Sequence, residues 1–435
     1  MIDRYSRSEM RAVWSDENRF TLYLAVELAA LRAQARRRGV PKAEVERFAK
    51  AAARFSVARI RAREKVLAHE MEAFIEEVLA KGRRYPKAAR LFHFGMTSFD
   101  AQDTAMGLQL KAAAALLEAG WQRVLAAEAA LAKRHAGTWM AGRSHGIHAE
   151  PITFGFKVAG WYAEGARNLA RLRRAAKDAA YGKISGAVGN FSTLEPAVEA
   201  EALRALGLGI EPASTQVIPR DRHADFIAVL AMSAAAIERV ALEVRHLQRT
   251  EVGELSEPFG RGQKGSSAMP HKKNPVLSEN LCGLARLVRH HAGAAFENIA
   301  LWNERDISHS SVERVALIDS CILVDFMLHR LAGMLEGLQV YPERMQRNLE
   351  LTGGGVFSGK VLLALIEAGL DRVSAYAIVQ RCAFAARERG EPLQEALAAD
   401  AEARKALGAR GLKACFELAP YGRHVPAILR RAGIR

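Results

Sequence analysis

One stretch in the middle of the chain constrains the fold more than any other. Between residues 226 and 247, apolar side chains recur in alternating steps of four and three. The members of this stripe are Phe226, Leu230, Ser233, Ile237, Val240, Val244 and Leu247, with the small Ser233 as the one polar exception. Such a heptad pattern lies along one side of a helix that packs against other helices. It predicts a long helix inside a helix bundle.

The rest of the chain has the same helical character. Its 435 residues include only 13 Pro, and Ala, Leu, Arg and Glu, which all favour helix, are abundant. Four further segments read as long helices, at 103–135, 152–181, 276–300 and 312–338. We therefore expect an all-α fold and exclude a β-sandwich or barrel. Three helical domains are predicted: an N-terminal one (1–92), a central long-helix bundle (93–345) and a C-terminal one (346–435).

Polar stretches that contain Gly or Pro interrupt the predicted helices. They lie at 93–100, 142–151, 184–219, 258–275, 304–311 and 351–359. In a bundle, breaks at helix ends are the places where groups that bind a ligand are displayed.

Charge and cysteine content limit the classes of function. The net charge of +15 leaves a nucleic-acid partner open at this stage. The four cysteines are far apart and form no C-x-x-C pair, which favours a reducing cytoplasm over a zinc site or a disulfide framework. The N-terminus has no signal-peptide pattern, and the longest apolar stretch (226–237) is too short to span a bilayer. We expect a soluble, cytoplasmic protein with no membrane partner.

The loop 260–275 is the most informative stretch. Gly260, Gly262 and Gly265 match G-x-G-x-x-G, but a dinucleotide site needs a strand before the motif and a helix directly after it. A P-loop is excluded too, because Ser266 occupies the position of the required lysine. Two interpretations remain: a solvated linker, or a glycine-hinged lid that closes over an anion.

The stretch 142–151 combines imidazole groups with a hydroxyl and a cation. His145, His148 and Glu150 could be metal ligands, but an intervening Gly and a following Pro disrupt any shared helical face, so no metal is predicted. The stretch is either a turn between helices or a site of proton transfer, with one imidazole beside the Ser144 hydroxyl.

A helix start is predicted at Thr97. With Asp100 three residues later, Thr97 forms a capping-box pattern. The same feature provides free N–H groups and the hydroxyls of Thr97 and Ser98, which together suit a carboxylate or a phosphate.

These three stretches carry a resemblance to a known family. Residues 266–275 (SSAMPHKKNP) resemble the signature loop of the fumarase/aspartase superfamily. Residues 142–146 are similar to its G-R-T-H-G segment, with Ser144 in place of Thr, and residues 97–100 to its T-S-S-D segment, with Phe99 in place of the second Ser.

Further stretches narrow the resemblance to the adenylosuccinate lyase branch. They are Arg4-Tyr5, residues 214–223 and residues 301–314. Residues 68–70 resemble a family N-H-D segment in which only His69 is retained. The similar stretches run from residue 4 to residue 314, whereas the C-terminal ninety or so residues add no strong motif.

The resemblance implies an activity and a role for each matched residue. The reaction would be β-elimination of fumarate from adenylosuccinate and from succinyl-aminoimidazole-carboxamide ribotide, with Ser266 as general base and His145 as general acid. No cofactor and no metal would take part. Family members form homotetramers with active sites shared between subunits.

Binding roles follow from the same resemblance. The succinyl carboxylates would be held by Lys272, Asn274, Thr97, Ser98 and Gln216, with Ser267 also among the substrate-binding residues. The nucleotide phosphate would be held by Arg4, Tyr5, Arg305, Ser310 and Arg314, and His69 would orient that end.

Three alternatives stay open from the sequence. A sister lyase acting on argininosuccinate, fumarate or aspartate would share the signature loop but would have less use for the arginines. A helical nucleic-acid-binding protein would use the arginine clusters at 36–38 and 171–174, although no recognised nucleic-acid motif accompanies them. An inactive member of the superfamily would have little reason to retain Ser266, His145 and Lys272.

Overall fold

The computed structural model describes residues 2–435 and is built almost entirely from helices. Within that range nineteen α-helices follow one another: α1 Ser8–Val13, α2 Asp16–Arg37, α3 Lys42–Ala52, α4 Val57–Leu67, α5 Glu70–Gly82, α6 Pro86–Ala89, α7 Ser98–Arg134, α8 Phe154–Ala179, α9 Pro196–Leu206, α10 Asp221–Gln248, α11 Val276–Glu297, α12 Ser308–Glu336, α13 Pro342–Glu350, α14 Ser358–Glu367, α15 Arg372–Arg389, α16 Leu393–Ala399, α17 Ala401–Cys415, α18 Ala419–Gly422 and α19 Val425–Ala432. The all-α prediction is confirmed.

Short strands form three two-stranded sheets in the same range. The strands are β1 Trp139–Ser144, β2 Ile147–Thr153, β3 Tyr181–Gly182, β4 Gly209–Ile210, β5 Leu255–Ser256 and β6 Gln339–Val340. Pairing is antiparallel for β1–β2 and β5–β6 and parallel for β3–β4. Only the β1–β2 hairpin is longer than two residues per strand.

The described chain divides into two compact units. The first takes in the chain up to Gln122, Arg167–Ile237 and Gly283–His329. The second consists of Arg123–Ala166, Glu238–Cys282 and Arg330–Arg435. The division into three domains near residues 92 and 345 stays a prediction.

The predicted heptad stripe is confirmed on α10. Each of its seven members is buried, and the most exposed of them, Val240, retains only 4% of its surface. The helix begins at Asp221, just after the Pro219 break, and ends at Gln248. The small Ser233 fits inside the stripe, where its hydroxyl is fully buried.

Each unit has its own apolar core. In the first, Phe20, Phe48 and Phe74 are fully buried among helices α2, α3 and α5. In the second, α14–α17 pack around Leu365, Leu397 and neighbouring apolar residues. All four cysteines, Cys282, Cys321, Cys382 and Cys415, are buried thiols.

Three local expectations were wrong. The helix expected from residue 152 begins only at Phe154, because residues 147–153 form the second strand of a β-hairpin. The supposed break at 184–219 contains α9, which starts with Pro196 in the first turn and buries Val198, Ala202 and Leu203. Helix α12 begins at Ser308, inside the stretch expected to be a break.

Among the described residues, no helix is by itself both long and apolar enough to cross a bilayer. One pair, Pro342–Glu350 with Gly355–Glu367, meets that criterion jointly, but its two halves are bent by 79°.

Candidate active site

In the second unit, His145 lies at the tip of the β1–β2 hairpin. Ser144 pairs with Ile147, which leaves His145 and Gly146 as a two-residue connection. Their φ angles are 54° and 80°, and two successive positive values define the type I′ turn that suits the twist of a hairpin. Glycine adopts such angles freely, and histidine is one of the few other residues that tolerate them. The turn exposes the imidazole of His145.

The turn end of this hairpin is anchored by a buried carboxylate. Arg143 donates from Nη1 to Glu254 Oε2 (3.0 Å) and from Nη2 to Glu254 Oε1 (2.5 Å). Asn348 Nδ2 donates to the same Oε1 (2.8 Å), and Glu254 is fully buried. Arg143, the cation of the stretch 142–151, is therefore committed to a carboxylate of its own chain. Its effect on His145 is to hold the strand that precedes the turn.

The second histidine of the hairpin has a different environment. The Nδ1 atom of His148 is buried and has no hydrogen-bond partner. Burial lowers the pKa of His148, and the charge of Arg143 lowers it further. This imidazole favours its neutral form. Among residues 2–435, no group of three or more His, Cys, Asp or Glu side chains is arranged to hold a metal ion.

The loop 260–275 folds around the hydroxyl of Ser266. Its Oγ accepts hydrogen bonds from the backbone N–H groups of Ala268 (3.3 Å) and Met269 (3.1 Å). Two N–H groups aimed at one oxygen stabilise negative charge on it, in the manner of an oxyanion hole. The loop thus directs two backbone donors at this hydroxyl oxygen.

The two ends of this loop meet at a narrow neck. Asn274 Nδ2 donates to the carbonyl oxygen of Gly265 (2.9 Å). The backbone of Lys272 comes so close that a Cβ on Gly265 would lie 2.0 Å from the Lys272 carbonyl oxygen. Gln248 Nε2 holds the neck from α10 by donating to the Lys273 carbonyl (3.0 Å). Ser267 and Lys272 are exposed on this loop.

In the first unit, Asp100 organises the start of α7. One of its oxygens, Oδ2, accepts from the N–H groups of Thr97 (2.8 Å) and Gly186 (3.1 Å), and the other accepts from Ser185 N–H (3.0 Å). Lys183 forms an ion pair with Asp100, and both side chains are fully buried. The carboxylate of the predicted capping box is in place, and it also fixes the segment 183–186. Thr97 and Ser98 are half-buried at this helix start.

Gln216 and Arg305 are brought into direct contact. Arg305 Nη1 donates to Gln216 Oε1 (2.8 Å), and the guanidinium carbon lies 3.9 Å from the centre of the Phe99 ring. Phe99, which stands where the family has a second Ser, therefore provides a cation–π surface for this arginine. Burial lowers the pKa of Arg305, and the nearby charge of Arg220 contributes in the same direction.

Five buried ionisable side chains lie behind this contact and were missed from the sequence. They are Asp103, Arg220, His223, His309 and Glu313. Arg220 pairs with both oxygens of Asp103 (2.9 and 3.0 Å), and His223 Nδ1 lies 2.9 Å from Glu313 Oε1. All but Asp103 lie within the stretches 214–223 and 301–314, but partners about ninety residues apart could not be matched from spacing.

Ser310 and Arg314 line a cleft of about 260 Å³ in the first unit. Tyr23, Asp103 and Glu70 contribute to its wall. Glu70 accepts hydrogen bonds from Arg19 and Arg61 and from the Tyr23 hydroxyl. Burial and the charge of Glu70 raise the pKa of Tyr23 well above its usual range.

His69 and the N-terminal segment lie on the same unit. His69 caps α5, where its Nδ1 accepts from Glu72 N–H (3.2 Å) beside Glu70. Tyr5 packs edge-on against Phe326 at 5.6 Å, and Arg7 donates to the buried Asp325 (2.9 Å), which fixes the segment that carries Arg4 and Tyr5. Arg4 is exposed.

The predicted site residues thus form two groups. Nine belong to the first unit: Arg4, Tyr5, His69, Thr97, Ser98, Gln216, Arg305, Ser310 and Arg314. Five belong to the second: His145, Ser266, Ser267, Lys272 and Asn274. Gln216 contacts Arg305, and Ser310 and Arg314 share the cleft, whereas His145 lies on the hairpin rather than on the loop of Ser266.

The arginine clusters that suggested a nucleic-acid partner are largely ion-paired. Arg36 and Arg37 both pair with Glu201, and Arg38 stacks on Phe94 at 4.2 Å. In the other cluster, Arg173 pairs with Glu118 and Arg174 with both Asp178 and Asp225. Four of these six arginines thus pair with carboxylates of the protein itself, as expected for a solvated helix surface.

Comparison with known proteins assigns the class. The family model described as lyase matches residues 3–289. A solved fumarate lyase structure from Mesorhizobium sp. BNC1 superposes with a TM-score of 0.89 at 29% identity, covering 99% of both chains. The chain therefore has the fold of the fumarase/aspartase superfamily of lyases.

More similar relatives identify the branch. The model described as adenylosuccinate lyase C-terminus matches residues 354–432. The chain is 50% identical to an adenylosuccinate lyase of Synechocystis sp. over 96% of both proteins, and 45% identical to one of Thermotoga maritima over 99% of both. The chain belongs to the adenylosuccinate lyase family.

Proposed function

We propose that this chain is a carbon–nitrogen lyase (EC 4.3.2.2) that releases fumarate from adenylosuccinate, leaving AMP, and from succinyl-aminoimidazole-carboxamide ribotide. The observation that carries the proposal is the 50% identity to an adenylosuccinate lyase over 96% of both chains. No cofactor or metal is needed for this chemistry.

Ser266 is the proposed general base. It removes the proton from the carbon beside a succinyl carboxylate, and the carboxylate then carries the extra negative charge as an enediolate. A serine hydroxyl must first become alkoxide-like, and the N–H groups of Ala268 and Met269 support this because both already donate to its Oγ. Lys272 supplies a positive charge on the same loop.

His145 is the proposed general acid. When the C–N bond breaks, its electron pair goes to the departing nitrogen, which takes a proton from the imidazole. The exposed position of His145 in a two-residue turn suits a group that must reach a substrate. General acid catalysis of this kind contributes about 10²–10⁴-fold to the rate.

Substrate binding divides between the two groups of residues. Lys272, Asn274, Thr97, Ser98 and Gln216 hold the succinyl carboxylates, with Ser267 beside them. Arg4, Tyr5, Arg305, Ser310 and Arg314 hold the phosphate, and His69 orients that end. Guanidinium groups suit this task because they match the geometry of phosphate oxygens.

We further propose a cytoplasmic homotetramer in which each active site draws on several subunits, and a chain of three helical domains (1–92, 93–345 and 346–435). The tetramer and its shared sites follow from the resemblance to the fumarase/aspartase superfamily. The ion-paired arginine clusters favour a small-molecule substrate over a nucleic acid.

The test is direct. Purified protein is incubated with adenylosuccinate, and the appearance of fumarate and AMP is followed. We expect turnover by the wild type and a loss of at least about 10²-fold in Ser266→Ala and His145→Ala, with circular dichroism unchanged. Ser192→Ala and His424→Ala, at exposed positions outside the site, are the matched controls. The absence of fumarate would refute the proposed activity, and near-normal rates in either variant would refute the role of that residue.

A further inference from the structure

Arg305 is held by three neighbours that use only part of its hydrogen-bonding capacity. Nη1 donates to Gln216 Oε1 (2.8 Å), and Nε lies 3.3 Å from His309 Nε2. The face of the guanidinium lies over the Phe99 ring. Among residues 2–435, Nη2 of Arg305 has no hydrogen-bond partner, so its two N–H groups are left for a ligand.

The contact with His309 defines the proton position on its ring. Since Arg305 Nε carries a hydrogen, His309 Nε2 must accept and therefore bears none. The ring proton is then on Nδ1, 3.3 Å from Glu313 Oε2. Nε of Arg220 lies equally close to Nδ1 (3.3 Å), and because a protonated Nδ1 cannot accept, the hydrogen on Arg220 Nε is directed to Glu313 Oε1 (3.4 Å). His309 is fully buried in the first turn of α12, four residues after Arg305 in the chain, so water does not compete for either nitrogen.

The rest of the buried network keeps this arrangement in place. Glu313 must remain a carboxylate to accept from His309. Burial alone would raise its pKa, but His223, His309 and Arg220 together hold the pKa of Glu313 far below its usual range. Arg220 is in turn fixed by Asp103. The chain of contacts runs from Asp103 through Arg220, Glu313 and His309 to Arg305.

We propose that His309 is a positioning residue for phosphate recognition: by accepting from Arg305 Nε it fixes the guanidinium on Phe99 and directs the unpartnered Nη2 to the phosphate of the nucleotide. This inference rests on the proposed phosphate-binding role of Arg305. His309 does not touch the substrate. Its contribution is to the orientation of Arg305 and therefore to the affinity for the phosphate-bearing ligand.

Two amide variants, each of which reproduces the position of one ring nitrogen, separate this role from simple core packing. Glutamine at position 309 places an oxygen near the site of Nε2, so His309→Gln keeps an acceptor for Arg305 and loses the contact with Glu313. Asparagine is shorter and reaches only the site of Nδ1, so His309→Asn keeps a donor for Glu313 and loses the contact with Arg305. If packing or the link to Glu313 mattered most, the asparagine variant would be the better of the two.

The experiment measures the affinities for AMP and adenosine by calorimetry on the full-length wild type, the two variants and Arg305→Ala. We expect His309→Asn to weaken AMP binding about tenfold, the size of one hydrogen bond to a charged group, with adenosine binding unchanged. His309→Gln should remain within about threefold of the wild type, and Arg305→Ala should weaken AMP binding at least as much as His309→Asn.

Either of two results would overturn the inference: equal AMP affinity in wild type and His309→Asn, or equal losses for AMP and adenosine. An Arg305→Ala variant that binds AMP normally would refute the role of Arg305 and the inference with it. Because AMP and adenosine binding are measured without turnover, a protein that releases no fumarate would refute the proposed reaction. The comparison of AMP and adenosine affinities among the variants would still test the role of His309.

Discussion

Replacing Gly265 by alanine would place a methyl group in the neck of the loop 260–275. The new Cβ would lie 2.0 Å from the carbonyl oxygen of Lys272 and 3.0 Å from its carbonyl carbon, whereas ordinary contacts begin at 3.4 Å. Both neighbours are backbone atoms and cannot rotate away. The two sides of the neck must therefore separate by roughly 1 Å, which also lengthens the hydrogen bond from Asn274 to the Gly265 carbonyl.

The consequence is a large loss of activity with little loss of stability. Ser266 is the next residue, so the displacement reaches the proposed base directly, and a shift of about 1 Å in a catalytic group lowers the rate by about 10²-fold. The loop is largely exposed, so the free energy of unfolding should change by less than about 1 kcal/mol. The measurements are kcat/KM for adenylosuccinate cleavage, followed as fumarate release, and urea unfolding followed by circular dichroism.

Gly260→Ala is the matched control in the same loop. Its Cβ would meet only Gln263 Oε1, at an ordinary 3.7 Å, so activity should stay within about twofold of the wild type. A Gly265→Ala enzyme with more than a third of the wild-type kcat/KM would show that the neck does not set the position of Ser266.

Two further predictions concern buried charges. Lys183→Met leaves Asp100 buried without its cation and should lower the free energy of unfolding by about 3–5 kcal/mol in urea titrations. The double variant Lys183→Met, Asp100→Asn should recover part of this loss. An unchanged free energy of unfolding in Lys183→Met would show that the buried ion pair does not stabilise the fold. Burial raises the pKa of Glu128 from 4.5 to about 8, so the folded state keeps a proton that the unfolded chain releases, and stability falls as the pH rises through that window. Urea titrations at several pH values should show a smaller decline in the free energy of unfolding for Glu128→Gln than for the wild type. An equal pH dependence in the two proteins would refute the raised pKa of Glu128.

The sequence was most informative where periodicity alone decides the structure. The stripe on α10 has a period that only a buried helix satisfies, and all seven positions are buried. The β1–β2 hairpin carries no such signal, since its strands contain Gly, Arg, Ser, His, Glu and Pro instead of alternating β-branched residues. Its turn uses His145-Gly146 in place of the common Asn-Gly, so the usual turn signal was absent as well.

Some features of the candidate site could likewise be predicted from the sequence, and others could not. Motifs that are continuous in the chain, such as the loop around Ser266, could be found by reading along the sequence. The partners of those motifs could not, because Arg143 meets Glu254 across 111 residues and Arg220 meets Asp103 across 117. Which carboxylate an arginine pairs with depends on which side chains the fold buries beside it, and this cannot be read from the sequence. Phe99, which looked like a lost hydroxyl, proved to be a platform for Arg305.

The four buried cysteines can serve as built-in probes of local unfolding. A thiol reagent in solution reaches a buried sulfur only while the surrounding helices are transiently open, so each labelling rate measures one local opening equilibrium. Cys382 and Cys415 report on the C-terminal helices α14–α17, whereas Cys321 reports on α12 in the first unit. The opening of each region can therefore be timed in the native chain without introducing a probe.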